Sequence, residues 1–95
     1  MPIVAGTAYV DPDHREALLA GLAPSLRRVR TTPGCLDYVV AADPIEPDRV
    51  NIYERWESQA HLDAHLAGVA QVPMPHVRSV QVVRYEISGS SRLQG

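Results

Sequence analysis

Two different spacings of hydrophobic residues divide this chain into strands and helices. Four strands are predicted over residues 3–10, 35–42, 49–56 and 77–88. In these segments apolar residues, often β-branched or aromatic, occur in short runs or alternate with polar residues. Apolar residues recurring every three or four positions predict two helices, one after the first strand and one that follows the third strand and ends near residue 68. The order of elements is therefore strand, helix, strand, strand, helix, strand.

Residues with special backbone preferences mark where the helices begin and end. Asp11 is placed to cap the first helix, and Pro12 suits its first position because the N–H that proline lacks would have no helical partner there. Pro24 lies inside the same helix and removes a hydrogen bond, so a kink or break is expected at this point. A Pro-Gly pair ends this helix, and Ser58 is placed to cap the second one.

This order of elements is that of the split βαβ, ferredoxin-like α+β fold, a four-stranded antiparallel sheet with helices on one face. The second and third strands form a hairpin, with Leu36, Tyr38 and Val40 expected on one face. Residues 69–75 contain two prolines and are expected to form no long regular element. The other face of the sheet, with Tyr53 on it, is apolar enough that a second copy of the chain is expected to cover it in a homodimer.

Composition and charge exclude several classes of protein. The 95 residues suit a single domain over residues 1–88 followed by a flexible tail of residues 89–95. A net charge of −2 does not favour nucleic acid, which needs a surface of uncompensated basic residues. All nine basic residues are arginine, which excludes Schiff-base chemistry by lysine. The chain shows no signal-like segment and no apolar run of membrane-spanning length, so a cytoplasmic protein without a membrane partner is expected.

A set of short motifs runs from residue 33 to the last predicted strand. Its members are Pro33-Gly34-Cys35-Leu36, Tyr38, Asp43-Pro44, Tyr53-Glu54-Arg55-Trp56-Glu57-Ser58, Ala60-His61-Leu62-Asp63-Ala64-His65-Leu66 and Arg84-Tyr85-Glu86-Ile87. Together they closely resemble the antibiotic biosynthesis monooxygenase superfamily, whose members are dimeric α+β barrel proteins. The resemblance covers residues 3–88 and is densest between residues 33 and 66.

The resemblance implies a range of chemistry, which includes cofactor-free oxidation of a small aromatic substrate with O₂. Similar members turn anthrones or hydroquinones into quinones, whereas other relatives degrade haem or isomerise small metabolites. The anthrone-oxidising members have an asparagine at the position of Ile52, which leaves Trp56 as the residue that carries over in register. The haem-degrading members have a tryptophan at the position of His65, so haem degradation is disfavoured. The segment after Gly68 is shorter than in many quinol-oxidising relatives, where a further helix covers the pocket.

Three residues are the candidates for catalysis: Trp56, His65 and His76. Trp56 would stack on a flat substrate and exclude water, or else serve as a core anchor at a strand end. His65 lies beside the apolar side of its helix and would take a phenolic proton as a neutral imidazole, or else be buried with a backbone carbonyl as its partner. His76 is the second choice of base, in place of a histidine that the shorter segment lacks.

Five further residues are candidates for substrate binding. Glu54 shares a strand face with Ile52 and is a candidate base or hydrogen-bond acceptor, because a carboxylate on a buried face needs a partner. The simpler alternative is an ion pair of Glu54 with Arg84 or another strand arginine. Arg84 is otherwise a candidate for stabilising an oxyanion. Tyr38 and Leu62 complete the set as residues of the interior.

No metal site is expected from the sequence. His61 and His65 lie four residues apart, a spacing that presents two metal ligands on one side of a helix, but no acidic third ligand accompanies them. His61 is interpreted as a solvent-exposed or capping residue, and Cys35 as a small core residue.

These features predict a small homodimeric monooxygenase that needs no cofactor and oxidises an aromatic hydroquinone, phenol or anthrone to a quinone with O₂. Two other functions stay open at this point. The first is an isomerase or cyclase that transfers protons in the same pocket and works without O₂. The second is a non-catalytic dimer that binds a small aromatic molecule and releases it unaltered.

Overall fold

The computed structural model describes residues 1–69 and 75–95 of the chain. Its elements, in chain order, are β1 (Pro2–Val10), a short 3-10 turn (Pro12–His14), α1 (Arg15–Arg30), β2 (Cys35–Ala42), β3 (Arg49–Trp56), α2 (Gln59–Gly68) and β4 (Val77–Glu86). The strands form one antiparallel sheet in the order β2-β3-β1-β4. The predicted ferredoxin-like α+β fold is confirmed.

The strands agree closely with their predicted bounds. β2 and β3 begin and end at the predicted residues, whereas β4 ends two residues before the predicted 88. The expectation that residues 69–75 form no long element falls on residues 70–74, which lie outside the described part of the chain. Neither of the two described helices is long and apolar enough to cross a membrane.

The first helix differs from the prediction at two points. Asp11 does not cap the turn that follows it. Its carboxylate accepts a hydrogen bond from Nε of Arg78 at 2.9 Å instead, a charge-assisted bond that is stronger than one from a neutral backbone N–H. The predicted break at Pro24 is wrong, because α1 continues through it. Ala20, whose carbonyl loses its helical donor to this proline, is exposed, so water can satisfy that carbonyl.

Two local features form the junction between β3 and α2. Oγ of Ser58 accepts a hydrogen bond from the N–H of His61 at 3.2 Å, so the predicted cap is confirmed. Gly34 has a φ of 85°, and its carbonyl accepts a hydrogen bond from the N–H of Glu57 at 2.8 Å. A side chain at Gly34 would overlap the ring of His61. The loop that leaves α1 therefore packs directly on the first turn of α2.

The core lies between the sheet and the helices and has two groups of buried residues. The first, the Trp56 cluster, consists of Val4, Trp56 and Leu62, with Val29, Cys35 and Tyr38 packed against it. The second, the Val10 cluster, consists of Ala8, Val10 and Val50, with Leu18, Leu19, Val40, Ile52 and Val77 packed against it.

A bulge at the start of β2 changes which residues face the core. Cys35 pairs with Trp56 and Asp37 pairs with Arg55, so Leu36 is an extra residue in the ladder. The side chain of Cys35 packs against the Trp56 cluster, and Leu36 is 37% exposed. The expectation that Leu36 shares a face with Tyr38 is therefore wrong, because an inserted residue shifts the alternation by one position.

The opposite side of the sheet presents a row of apolar residues that runs across all four strands. The strand pairing aligns Val39, Tyr53, Ala5 and Val83 in this order. Tyr53 is 38% and Val83 is 51% exposed. We call this row, together with Tyr85, the open sheet face. Its cover by a second copy of the chain stays a prediction.

Candidate functional site

A cavity of about 420 Å³ lies between the sheet and the helices. Its walls are mostly aliphatic, with Val40, Val50, Ile52 and Val82 from the sheet and Leu18, Leu22 and Leu26 from α1. The three leucines are the apolar stripe of α1, which recurs every four residues along the sequence. A cavity of this size and polarity is typical of a site for a small organic ligand.

Glu54 places a carboxyl group in the wall of this apolar cavity. Strand pairing sets it opposite Tyr38 on β2 and opposite Val4 on β1. Only 8% of Glu54 is exposed, and both Glu54 and Tyr38 line the cavity. Because side chains alternate along a strand, Glu54 lies on the same face as Ile52, as the sequence predicts.

Trp56 lies behind the cavity wall and forms a hydrogen bond with Glu54. Its Nε1 donates a hydrogen bond of 3.0 Å to Oε1 of Glu54, and this bond is buried. Trp56 is fully buried, as is Leu62 in the same cluster, and neither residue lines the cavity. The expected contact of Trp56 and Leu62 with a substrate stays a prediction. In this structure Trp56 supports Glu54, which lines the cavity.

His65 covers Trp56 on the cavity side. The imidazole stacks on the indole with ring centroids 4.9 Å apart and planes inclined by 26°. The ring of Tyr38 meets the imidazole edge-on at a centroid distance of 5.5 Å. His65 lines the cavity. Strands β2 and β3 and helix α2 thus bring the phenol of Tyr38, the carboxyl group of Glu54 and the imidazole of His65 close together.

Burial controls the ionisation of these groups. Loss of water raises the pKa of the Glu54 carboxyl, while the hydrogen bond from Trp56 and the charge of His65 lower it in part. Burial also raises the pKa of the Tyr38 phenol, and the neighbouring Glu54 raises it further. Tyr38 therefore keeps its proton in the physiological range, and Glu54 keeps its proton to a higher pH than an exposed glutamate does.

Arg84 is not the partner of Glu54. In the strand order Val4 lies between them, paired with Glu54 on one side and Arg84 on the other. Nη1 of Arg84 instead lies 3.2 Å from Oδ1 of Asp63 on α2. Arg84 is absent from the cavity lining, and its role in substrate binding stays a prediction.

His76 lies outside the cavity lining, at the start of β4. Its ring stacks on that of His14 with centroids 3.5 Å apart and planes inclined by 6°. Its Nδ1 is 3.4 Å from Oδ2 of Asp11. The described partners of the His76 ring are thus His14 and Asp11, and its role as the second choice of base stays a prediction.

Asp11, His14 and His76 are also the candidate metal-binding group within the described part of the chain. Donor atoms of Asp11, His14 and His76 lie within 4.8 Å of one another. Stacked parallel rings direct their in-plane nitrogen lone pairs alongside each other, whereas zinc needs ligands that converge on one point. Arg78 already lies 2.8 Å from the Asp11 carboxylate. We interpret the group as an ion-pair cluster, which the sequence did not reveal because 65 positions separate Asp11 from His76.

The two histidines of α2 have different partners. Nδ1 of His61 lies 2.6 Å from Oγ of Ser58, so this residue belongs to the cap of the helix. His65, one turn later, stacks on Trp56. His61 thus makes a structural contact, whereas His65 lines the cavity. Their i, i+4 spacing does not produce a shared site.

The family follows from a direct match of the sequence. The profile of the antibiotic biosynthesis monooxygenase family matches residues 1–82. The chain belongs to this family. A solved structure from Deinococcus radiodurans, described as an antibiotic biosynthesis monooxygenase, has a TM-score of 0.82 at 24% sequence identity, with all of both chains covered. At this identity the likeness shows the fold of the family alone.

Two relatives match part of the chain. An uncharacterized protein of Synechocystis, sll1783, is 33% identical over 63 residues, which are 66% of this chain and 43% of the relative. YgiN of Escherichia coli K12, named a probable quinol monooxygenase, is 36% identical over 61 residues, which are 56% of this chain and 59% of YgiN. The chain spans about half the length of the curated relatives it matches.

Proposed function

We propose that this member of the antibiotic biosynthesis monooxygenase family oxidises an aromatic phenol, hydroquinone or anthrone to a quinone with O₂ and without a cofactor. The observation that supports this function is the convergence of Tyr38, Glu54 and His65 at one end of an aliphatic cavity. A ring system suits the space between sheet and helices, and its hydroxyl group would meet the polar residues. Family membership and the likeness to YgiN support oxidative chemistry in general.

His65 is the base in this proposal. It takes the proton of the substrate hydroxyl, or the acidic proton of an anthrone, and the resulting anion is electron-rich enough to reduce O₂. Trp56 keeps the imidazole in place by stacking on it. The aliphatic wall excludes water from the anion, which strengthens its interactions with the polar residues.

The proposed reaction balances without a further reductant. An anthrone methylene group reacts with one O₂ to give a quinone carbonyl and one water molecule. One oxygen atom forms the new C=O bond, and the other leaves as water with the two hydrogens that the methylene carbon loses. O₂ accepts four electrons in total. A phenol reacts in the same ratio, losing its O–H hydrogen and one ring hydrogen to the water. A hydroquinone gives its two O–H protons and two electrons to O₂, which leaves as hydrogen peroxide.

The test is oxygen uptake by chelator-treated, purified protein with a panel of anthrones and naphthohydroquinones, corrected for autoxidation. We expect saturable uptake that is matched by quinone formation. His65→Gln should lower kcat about 10²-fold or more, the usual contribution of a positioned base. His61→Gln is the matched control, because His61 lies one turn earlier on the same helix and does not line the cavity. His76→Gln should also leave kcat unchanged.

Three other outcomes would contradict the proposal in different ways. Conversion of a substrate under anaerobic conditions would favour an isomerase or cyclase that uses the same base. Tight binding of an aromatic ligand that is recovered unaltered would favour a binding protein. Uptake that His65→Gln leaves intact would support oxygenation but exclude His65 as the base.

We also propose that two copies associate through the open sheet face. The row that contains Tyr53 and Val83 is apolar and partly exposed, which is unusual for the surface of a monomer. Val83→Arg should convert a dimer to a monomer in sedimentation velocity at micromolar concentration. Ile45→Arg is the control, since Ile45 is exposed in the β2–β3 turn away from this row. A wild-type chain that sediments as a monomer would refute the assembly.

A further inference from the structure

Among residues 1–69 and 75–95, the polar residues that line the cavity gather at one end of it. Tyr38 packs against the Trp56 cluster, and His65 and Glu54 contact Trp56 itself. Ser25, the remaining polar lining residue, lies one helical turn before Val29, which packs against the same cluster. All four polar side chains thus gather around the Trp56 cluster.

At the other end of the cavity, the side chains from the described part of the chain are all aliphatic. It is formed by the Val10 cluster and its neighbours, and the lining residues concerned are Ala8, Val10, Leu18, Leu19, Val40, Val50, Ile52 and Val77. A polar ligand group at this end would lose its water and find no side-chain partner. The cavity is therefore polarised along its length.

One oxygen atom of Glu54 is available at the polar end. Oε1 accepts the hydrogen bond from Trp56, and this is the one bond of the carboxyl group within residues 1–69 and 75–95. No fully buried side-chain oxygen in these ranges lacks a hydrogen-bond partner. Within the described residues Oε2 is therefore not fully buried. Since Glu54 lines the cavity and is itself almost buried, we infer that Oε2 faces the cavity.

We propose that, within the substrate class of the proposed function, the cavity prefers lipophilic phenols with a hydroxyl group at one end over hydroquinones with hydroxyl groups at both ends, and that Oε2 of Glu54 binds the hydroxyl. The inference rests on the proposed function, because it names the substrate class of the same site. The hydroxyl lies between Glu54 and His65, and the apolar body of the ligand extends along the Val10 cluster. In its protonated form Glu54 donates a hydrogen bond from Oε2 to the phenolic oxygen and orients the phenol, which leaves the phenolic proton for His65 to remove.

Binding is measured by isothermal titration calorimetry under anaerobic conditions, so that turnover does not enter the result. Three ligands of similar shape separate the two ends: 4-butylphenol, butylbenzene and 4-(4-hydroxyphenyl)butan-1-ol. Butylbenzene, which lacks the phenolic hydroxyl, should bind about tenfold more weakly than 4-butylphenol, because the polar group of the protein then has no partner. The ligand with a second hydroxyl at the far end should also bind about tenfold more weakly, because that hydroxyl loses its water and finds no partner.

Variants assign the effect to Glu54. Glu54→Met should weaken 4-butylphenol about tenfold and leave butylbenzene unchanged, while Glu54→Gln, which keeps a polar group, should restore part of the affinity. Val40→Thr adds a hydroxyl to the apolar end and should reduce the penalty for the ligand with two hydroxyls. Asp63→Asn is the control for a carboxylate that is absent from the cavity lining.

The results are decisive in either direction. Equal affinity of the wild-type protein for the ligands with one and two hydroxyls would overturn the proposal even if a variant failed to fold. Equal weakening of 4-butylphenol and butylbenzene by Glu54→Met would show that Glu54 shapes the cavity without binding the hydroxyl. Selective phenol binding without oxygen uptake would support this inference and refute the proposed function.

Discussion

The hydrogen bond between Trp56 and Glu54 connects the stability of the core to the chemistry of the cavity, and Trp56→Phe tests it. The substitution removes the indole N–H, which donates the 3.0 Å bond to Oε1 of Glu54. It also removes one ring from a fully buried side chain. Both losses fall on the same cluster, so they should lower the free energy of unfolding together.

The size of the effect follows from burial. An acceptor left without its donor in a buried position costs about 1–3 kcal/mol. The smaller ring leaves unfilled volume, which adds about 1–2 kcal/mol, between the costs of Ile→Val and Trp→Ala substitutions in cores. The total of about 2–5 kcal/mol corresponds to a decrease in Tm of roughly 10–30 °C for a domain of this size.

The two contributions are separated by a double-mutant cycle with Glu54→Met. If both partners are replaced, no unpaired acceptor is left, so Trp56→Phe should cost about 1–2 kcal/mol less in the Glu54→Met background than in the wild type. The free energies come from urea unfolding followed by circular dichroism, at one fixed protein concentration because self-association would change the apparent stability.

The pH dependence provides a second measurement on the same variant. Burial raises the pKa of Glu54, so the folded state binds a proton more tightly than the unfolded state and stability falls as pH rises above about 4.5. The Trp56 donor opposes this rise in pKa, and Trp56→Phe should therefore cost more at pH 8 than at pH 4. Additive effects in the cycle, together with a cost that is equal at both pH values, would refute the role of the bond.

Three further predictions concern the scaffold. The hydrogen bond from the N–H of Glu46 is the main cause that lowers the pKa of Asp43 to about 2. Asp43 therefore contributes stability above pH 4, and this contribution is lost as the pH falls toward 2. In thermal unfolding, Asp43→Asn should be less stable than the wild type at pH 6 but equal to it near pH 2. Gly34→Ala should lower the free energy of unfolding by about 1–3 kcal/mol or more, because φ is positive and the methyl group would overlap His61; an unchanged urea midpoint would contradict this. Gly21→Ala, in the exposed interior of α1 with open space around it, should raise that free energy by about 0.5–1 kcal/mol, and a destabilised variant would contradict the helical assignment.

Local patterns in the sequence determined most of the fold. Alternation set the bounds of β2 and β3, the spacing of leucines set the inner side of α1, and Ser58 marked the start of α2. These features depend on contacts between residues a few positions apart, where strand or helix geometry leaves little choice. The sequence also placed Glu54 and Ile52 on one face, since alternation within a strand is local.

Tertiary structure decided which of these residues meet. Glu54 could have paired with Arg84, but Val4 lies between them in the sheet, and Trp56 on its own strand supplies the donor. His76 was brought to Asp11 by the pairing of β1 with β4. Neither partner can be read from a local pattern, because strand order and register depend on contacts along the whole chain.

The cavity itself is also a product of tertiary structure. The stripe of leucines on α1 predicts an apolar surface, and so do the valines of the sheet, but periodicity does not tell whether two such surfaces touch or leave a gap. Whether a gap remains depends on the distance between the sheet and the helices, and large side chains such as Trp56 help to set this distance. Trp56, with His65 stacked on it, occupies the space at that end, and the aliphatic side chains beyond leave about 420 Å³ unfilled. The sequence thus determined the chemical character of the walls, and packing decided that a cavity lies between them.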